Sequence, residues 1–256
     1  LGLEAVAGVD LQKELLLNTA RALRDGQTQV VPKGILLLGP PGCGKTFTMH
    51  CFAHDCEIPF LQLKNVFSKY VGATEANLEK LFHFLDALAP VFVFIDQLDA
   101  LASQLDLRSG RLNVLLNLVR RIGGIPNVHV LLSARTFEIN HDVRLRAVEA
   151  EGVTLALPPW HVVKEQLAEV GIDPDAWPEK ARDIVRIPQA LKTFIALVGS
   201  GRSEPFTTYQ AMLEQLWRDR IASADDSESL IALASDLAGR MAEEEALWLA
   251  ASRFDD

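Results

Sequence analysis

The sequence predicts an α/β fold in which a mainly parallel sheet lies between helices. Short apolar runs alternate with amphipathic segments over residues 1–157, as expected for successive βαβ units. Beyond Pro158 and Pro159 the strand-like runs stop and the pattern becomes helical. A glycine-rich turn at 39–46 joins an apolar strand to a helix, an arrangement that places a ligand at the carboxyl edge of a parallel sheet.

The individual elements follow from the same periodicities. Five strands are predicted, at Ile35–Leu38, Phe60–Leu63, Val91–Ile95, Val128–Leu132 and Val153–Leu157. Helices with one apolar face are predicted at Glu75–Ala87 and Leu112–Arg121, and a further helix after the glycine-rich turn at Phe47–Ala53. The later helices are His161–Val170, Arg182–Val185, Gln189–Val198, Thr207–Ile221, Ser227–Ala238 and Ala242–Ala251. We therefore expect an α/β domain over 1–157, a helical domain over 158–222 and a further helical segment over 223–256.

Composition excludes several classes of function. A net charge of −9 argues against a dedicated nucleic-acid surface, which needs clustered Lys and Arg. No run approaches the roughly 18–20 apolar residues of a membrane span. Three cysteines form no paired framework, which favours a reducing, cytoplasmic location. Because the chain opens at Leu1, we interpret it as a fragment whose protein partner or effector belongs to the flanking regions.

Residues 39–46 match the phosphate-binding template G-x-x-x-x-G-K-[ST] at every fixed position. Glycines let backbone N–H groups turn toward phosphate oxygens, and the following helix adds partial positive charge. Lys45 is predicted to reach the β- and γ-phosphates, and the Thr46 hydroxyl to bind Mg²⁺. The predicted nucleotide-binding residues here are Pro40, Pro41, Gly42, Cys43, Gly44, Lys45, Thr46 and Phe47.

An apolar strand that ends in a carboxylate supplies the second half of this site. Asp96 follows Val91–Ile95, 51 positions after Lys45, and is predicted to hold the metal. Gln97 comes next, where many P-loop ATPases carry a glutamate. A glutamine orients water but does not accept its proton, so we expect slow hydrolysis. Asp99 is the nearest alternative carboxylate, and its other interpretation is a helix cap.

Polar residues after the fourth predicted strand are candidate phosphate sensors. Arg135 is the preferred sensor and Ser133 the second. Arg144 and Arg146 lie farther along and are candidates for contacting the nucleotide of a neighbouring subunit. The preferred interpretation of both is nevertheless as solvated arginines that pair with Glu149 or Glu151.

Four segments of residues 1–101 resemble AAA-family ATPases: Val6–Gly8, Lys33–Thr46, Ser68–Glu75 and Phe94–Leu101. The resemblance implies a hexameric motor that pulls on a substrate, with Gly8 at the nucleotide. It also implies a substrate-facing pore loop at Ser68–Gly72, in which Tyr70 is the gripping aromatic. The family's catalytic glutamate is Gln97 here, and its Thr-Asn sensor and Gly-Arg-Phe segment are missing.

From about residue 91 onward the chain resembles STAND-type ATPases, the signal-transducing relatives that include NACHT and NB-ARC proteins. The Asp-Gln-Leu-Asp run at 96–99 and the strand ending in Arg135 are typical of them. Residues 186–191 resemble their Gly-x-Pro lid segment, which implies that Pro188 packs on adenine, although Arg186 replaces the glycine. Residues 206–217 continue into helices similar to their lid, and 227–256 would begin a winged-helix domain.

Together these features predict a P-loop NTPase that binds ATP or ADP with Mg²⁺. The preferred interpretation is a STAND-type switch, in which slow hydrolysis controls lid position and nucleotide-dependent assembly into a homo-oligomer. The first alternative is an AAA motor that remodels proteins. The second is a module that binds ATP without hydrolysing it.

Overall fold

The structure is a computed structural model that describes residues 1–63, 75–98, 111–199 and 204–243. Its strands are β1 (Gly34–Gly39), β2 (Phe60–Gln62), β3 (Val91–Ile95), β4 (Val128–Arg135) and β5 (Glu151–Thr154). The helices in the first part of the chain are α1 (Asp10–Arg24), α2 (Lys45–Asp55), α3 (Glu75–Leu88), α4 (Arg111–Gly123), α5 (Thr136–His141) and α6 (Val143–Arg146). Those that follow are α7 (Trp160–Glu169), α8 (Glu179–Val185), α9 (Pro188–Val198), α10 (Tyr209–Trp217) and α11 (Ser227–Glu243), with a π-helical turn at Arg218–Ala222. Short 3₁₀ turns cover Leu3–Ala5 and Thr28–Val30.

The five strands form one sheet in the order β2-β3-β4-β1-β5, and every neighbouring pair is parallel. The P-loop strand β1 is therefore an inner strand, between the central strand β4 and the edge strand β5. The predicted α/β fold of a P-loop NTPase is confirmed by this sheet and its covering helices.

Apolar side chains on both faces of the sheet build two core clusters. One face packs Val93, Val130 and Leu132 against α3 and α4, through residues such as Leu85 and Leu115. The other face packs Ile35, Phe92 and Leu131 against α1 and α2, through residues such as Leu16 and Phe52. Strands buried on both faces are expected to be continuously apolar, as Val91–Ile95 is.

Several predicted elements differ from the observed ones. Strand β4 continues to Arg135, because its backbone pairs with β1 as far as Gly39. Strand β5 starts at Glu151 and ends at Thr154, so the prediction of Val153–Leu157 was displaced toward the apolar residues that follow the strand. Helix α1 was not predicted at all. The predicted helix at Ala242–Ala251 lies mostly outside the described residues.

The chain divides into two compact units. Among the described residues, the first contains those up to 163 together with Ile187–Gln189, and the second contains 164–186 and those from 190 onward. The second unit has its own aromatic contacts: Phe194 meets Trp177 edge-on at 5.1 Å and Phe206 at 6.3 Å between ring centroids. A separate winged-helix domain at the end of the chain stays a prediction. Among the described residues, none of the helices is both long and apolar enough for a membrane span.

Candidate nucleotide-binding site

The P-loop links the end of β1 to the start of α2. Gly42 and Gly44 have φ angles of +75° and +93°, a region that side-chain-bearing residues seldom adopt. Gly44 is the residue before α2, and no side chain caps the helix there. As in every α-helix, the N–H groups of the first turn have no intrahelical acceptor. Because no side chain caps them here either, this helix end is suited to an anion.

The Lys45 ammonium lies within the loop itself. Its Nζ donates to the carbonyl oxygens of Gly39 at 2.9 Å and Pro40 at 3.0 Å. The side chain thus folds back along the P-loop rather than out into solvent. This places a positive charge beside the free N–H groups at the start of α2.

Thr46 and Asp96 meet directly at the carboxyl edge of the sheet. The Thr46 hydroxyl donates to Asp96 Oδ2 at 2.7 Å. A hydroxyl and a carboxylate are oxygen ligands of the kind that Mg²⁺ takes, and one carboxylate with substrate phosphates commonly completes such a site. The two side chains therefore fit a magnesium ion, and Thr46 and Asp96 would hold it.

Ser133 holds the other oxygen of the same carboxylate. Because Ile95 pairs with Leu132 in the sheet, the next residues of both strands, Asp96 and Ser133, lie side by side. The fully buried Ser133 hydroxyl donates to Asp96 Oδ1 and accepts the Gln97 N–H at 2.8 Å. The Gln97 N–H also lies 3.0 Å from Asp96 Oδ1. The sequence offered only a weak signal for this contact, a polar residue near the end of a strand.

Gln97 has a left-handed backbone, with φ at +52°. This conformation is uncommon for a residue with a long side chain and recurs at functional sites. Its N–H turns back toward Ser133, while its side chain is exposed. The position predicted to orient water is therefore backbone-anchored and open to solvent.

Arg135, the preferred sensor, lies two residues beyond Ser133 and pairs in the sheet with Gly39. Its guanidinium is 4.0 Å from the Glu138 carboxylate, and the side chain is 40% exposed. Of the two candidate sensors, Ser133 is thus the one hydrogen-bonded to Asp96. A contact of either residue with phosphate stays a prediction.

Pro188 belongs to a segment that lies on the P-loop. The Gln189 N–H donates to the Gly42 carbonyl at 3.3 Å. A Cβ on Gly42 would lie 2.9 Å from Ile187 Cγ2, so the glycine is required for this close approach. The sequence pattern indicates Pro188 but gives no signal for its direct neighbours Ile187 and Gln189, whose contacts with Gly42 depend on tertiary packing.

The remaining predicted nucleotide-binding residues occupy different surroundings. Gly8 packs against Pro158 and Pro159, and Phe47 is 45% exposed on the first turn of α2. Pro40 and Pro41 are exposed, whereas Cys43 is buried. Burial raises the pKa of the Cys43 thiol, which the neighbouring Lys45 charge partly opposes, so the thiol is protonated at neutral pH.

Of the two arginines proposed to act between subunits, Arg144 has a partner nearby. Arg144 donates to Asp142 through Nη2 at 2.7 Å and Nε at 3.1 Å, and Asp142 also caps α6. These hydrogen bonds hold the pKa of Asp142 below its usual value. The expected pairing with Glu149 or Glu151 is thus wrong for Arg144, because the cap residue is closer. Arg146 is exposed.

Three predicted features lie outside the described residues. These are Asp99, the pore-loop candidate at 68–72 and its aromatic residue Tyr70. Their roles stay predictions.

Comparison with known proteins agrees with the motif. The model of the family described as "ATPase family associated with various cellular activities (AAA)" matches residues 35–150. The "ATPase family gene 2 protein" of Saccharomyces cerevisiae is 40% identical over 101 residues, which are 38% of this chain and 13% of that protein. An "ATP-dependent zinc metalloprotease FtsH" from Acaryochloris marina is 36% identical over 148 residues, 51% of this chain and 22% of that protein. The human "ATPase family gene 2 protein homolog A" is 39% identical over 103 residues, 38% of this chain and 12% of that protein. The chain therefore spans less than a quarter of the length of these relatives.

Proposed function

We propose that this chain is a P-loop ATPase of the AAA type, because the model of that family matches residues 35–150, and that it hydrolyses ATP with Mg²⁺ and uses the energy to remodel proteins. The observation that carries the proposal is the direct contact between Thr46 and Asp96 beside the P-loop lysine. These three side chains are the ones that hold a triphosphate and its metal in P-loop enzymes.

The reaction assigns a role to each of these groups. A water oxygen forms a bond to the γ-phosphorus while the bond from that phosphorus to the bridging oxygen breaks, which leaves ADP and phosphate. Lys45 would replace its hydrogen bonds to loop carbonyl oxygens with hydrogen bonds to phosphate oxygens. The Asp96 carboxylate is already oriented by hydrogen bonds to both of its oxygens. Bound Mg²⁺ neutralises charge that develops on the phosphates.

Gln97 is expected to limit the rate of ATP hydrolysis. Its amide orients water but cannot take the proton, so hydrolysis is slower than it would be with a carboxylate there. Gln97→Glu should raise the steady-state turnover of ATP, while Asp96→Asn should lower it by about a hundredfold or more. If neither the wild-type protein nor the Gln97→Glu variant turns over ATP, the proposal fails and a module that only binds ATP is favoured.

The motor interpretation has the support of the relatives. The family model that matches is that of AAA ATPases, the relatives named above are called an ATPase or an ATP-dependent protease, and none of them carries a STAND name. A motor should hydrolyse ATP faster when an unfolded protein such as casein is added. Tyr70→Ala should abolish this stimulation while Tyr70→Phe retains it. Stimulation that survives Tyr70→Ala would contradict the assignment of the pore loop.

The switch remains a second candidate because of Gln97. A site that holds ATP well and cleaves it slowly suits a protein whose assembly depends on the bound nucleotide. Sedimentation velocity with ADP and with a non-hydrolysable ATP analogue measures this directly. If the protein assembles with the ATP analogue but not with ADP, and casein does not stimulate its ATP hydrolysis, the switch is favoured over the motor.

A further inference from the structure

A cavity of about 280 Å³ lies in the first unit, away from the P-loop. It is bordered by the first residue of β1, Gly34, and by Val130 and Leu132 of β4. The P-loop follows the opposite, carboxyl end of β1. The cavity and the nucleotide site therefore lie toward opposite ends of the same strand.

The floor of this cavity is aliphatic. Val130 and Leu132 come from the sheet and Val119 from α4, and all three are buried. Water forms no hydrogen bonds with an aliphatic surface. An apolar group that covers this surface is itself removed from water, which favours its binding. The volume is close to the lower end of the range of small-molecule sites, roughly 300 Å³.

Gly123, the last residue of α4, keeps one wall of the cavity open. A Cβ built there would have a single neighbour within 4 Å, Val130 Cγ2 at 3.8 Å. A longer side chain at this position would project into space that the cavity occupies. The glycine thus provides a way to fill the cavity by substitution without touching its charged rim.

The rim carries three cations, Lys33, Arg120 and Arg144, and one carboxylate, Glu149. Arg144 is paired with Asp142. Lys33 Nζ donates to the Ile125 carbonyl at 3.3 Å, and Arg120 Nη1 donates to the Asn117 amide oxygen at 3.0 Å. Both of these hydrogen bonds are to neutral groups, so the rim has positive charge in a chain whose net charge is −9.

We propose that this cavity binds a small amphipathic carboxylate, with its apolar body on the aliphatic floor and its anionic head at Lys33 and Arg120. A purely polar anion would leave the floor unfilled, and a neutral apolar molecule would leave the net positive charge of the rim, where Lys33 and Arg120 face the single carboxylate of Glu149, without compensation. The site goes beyond the proposed ATPase function and does not depend on it.

Octanoate is a suitable probe, with octanamide as its neutral counterpart, and calorimetric titration measures both. Octanoate should bind saturably at one site, with octanamide weaker by about tenfold, as loss of a charge-assisted hydrogen bond implies. Arg120→Gln should weaken octanoate by a similar factor. Gly123→Ala should still bind, and Gly123→Leu should not.

Arg21→Gln is a matched control, because Arg21 donates to Asn18 at 3.1 Å with the same three-residue spacing, on α1. It should bind octanoate like the wild-type protein. The proposal is overturned if octanoate does not saturate, if octanamide binds equally well, or if the two arginine variants behave alike. If Gly123→Leu does not fold, the comparison of octanoate binding by Arg120→Gln and Arg21→Gln still tests the proposal.

Discussion

The Asp96 carboxylate accepts a hydroxyl hydrogen bond at each oxygen, from Thr46 at Oδ2 and from Ser133 at Oδ1. This leaves the carboxylate little freedom to rotate, which suits its proposed role as a metal ligand. Preorganised oxygen ligands reduce the reorganisation that binding otherwise requires. The contact with Ser133 is therefore part of how the site is built.

Ser133→Ala should lower the free energy of unfolding by about 1–3 kcal/mol, because it removes one hydrogen bond to Asp96 and the buried acceptor of the Gln97 N–H. Urea denaturation measures the change. Ser235→Ala, at an exposed position of α11, is the control and should shift stability by less than about 0.5 kcal/mol. Equal changes in the free energy of unfolding for the two substitutions would show that the Ser133 hydroxyl does not stabilise the fold.

His129 is a buried imidazole in the first unit. Its Nδ1 lies 2.9 Å from the Pro32 carbonyl, its ring meets Phe92 edge-on, and within the described structure its Nε2 has no hydrogen-bond partner. Burial lowers the pKa of His129 below its ordinary value of 6.5, and Lys33 acts in the same direction against the Pro32 hydrogen bond. The native state therefore holds a neutral histidine.

The unfolded chain binds a proton at His129 more readily than the native protein, so the stability contributed by the neutral form is complete above about pH 6.5 and falls as pH decreases below it. The free energy of unfolding should drop as pH falls from about 6.5 to about 5.5. The drop should be smaller in His129→Phe and unchanged in His50→Gln, whose histidine is exposed. An undiminished drop in His129→Phe would contradict this assignment.

At the scale of elements, helix α2 has two functions on two faces. Its first turn presents Lys45, Thr46 and the exposed Phe47 at the P-loop, while Phe52 is fully buried against the sheet. Phe52 meets Phe92 at 5.2 Å and Phe60 at 6.4 Å between ring centroids, both edge-on. The packing of this face fixes the position of the phosphate-binding end.

Phe52→Ala should cost about 3–5 kcal/mol of stability, as expected for the loss of a buried aromatic side chain. Phe84→Ala, on α3, is the control, since that ring is 52% exposed and its loss should cost less than about 1 kcal/mol. Chemical denaturation of both variants measures the difference. A loss at Phe52 no larger than at Phe84 would contradict the core assignment.

Elements with a local signature could be predicted from the sequence. Val91–Ile95 is an uninterrupted apolar run, and the P-loop has glycines and a lysine at fixed spacing. The end of β4 could not be predicted in this way, because its last residues are set by pairing with β1. The missed helix α1 does carry a helical signal, since its buried residues Leu16, Ala20 and Leu23 are three and four positions apart.

The candidate nucleotide-binding site also combines residues that a local motif predicts with residues that only tertiary contacts bring together. Lys45, Thr46 and Asp96 were predicted because their motifs are continuous in sequence. The contacts of Ser133 with Asp96 and of Gln189 with Gly42 join residues 37 and 147 positions apart, and no local pattern specifies such a pairing. Register and tertiary packing decide these contacts.

At the scale of the whole molecule, the P-loop, the sheet order and the family match support the proposal of an AAA-type ATPase, and the resemblance to STAND proteins has no support among the relatives compared. We expect the protein to cleave ATP at the site built by Lys45, Thr46 and Asp96. The most direct test is the initial rate of phosphate release from Mg·ATP by the wild-type protein and by Lys45→Ala. The wild-type protein should release phosphate at a slow, measurable rate that Lys45→Ala lowers by about a hundredfold or more. Equal rates in the two proteins, or none in either, would contradict the claim.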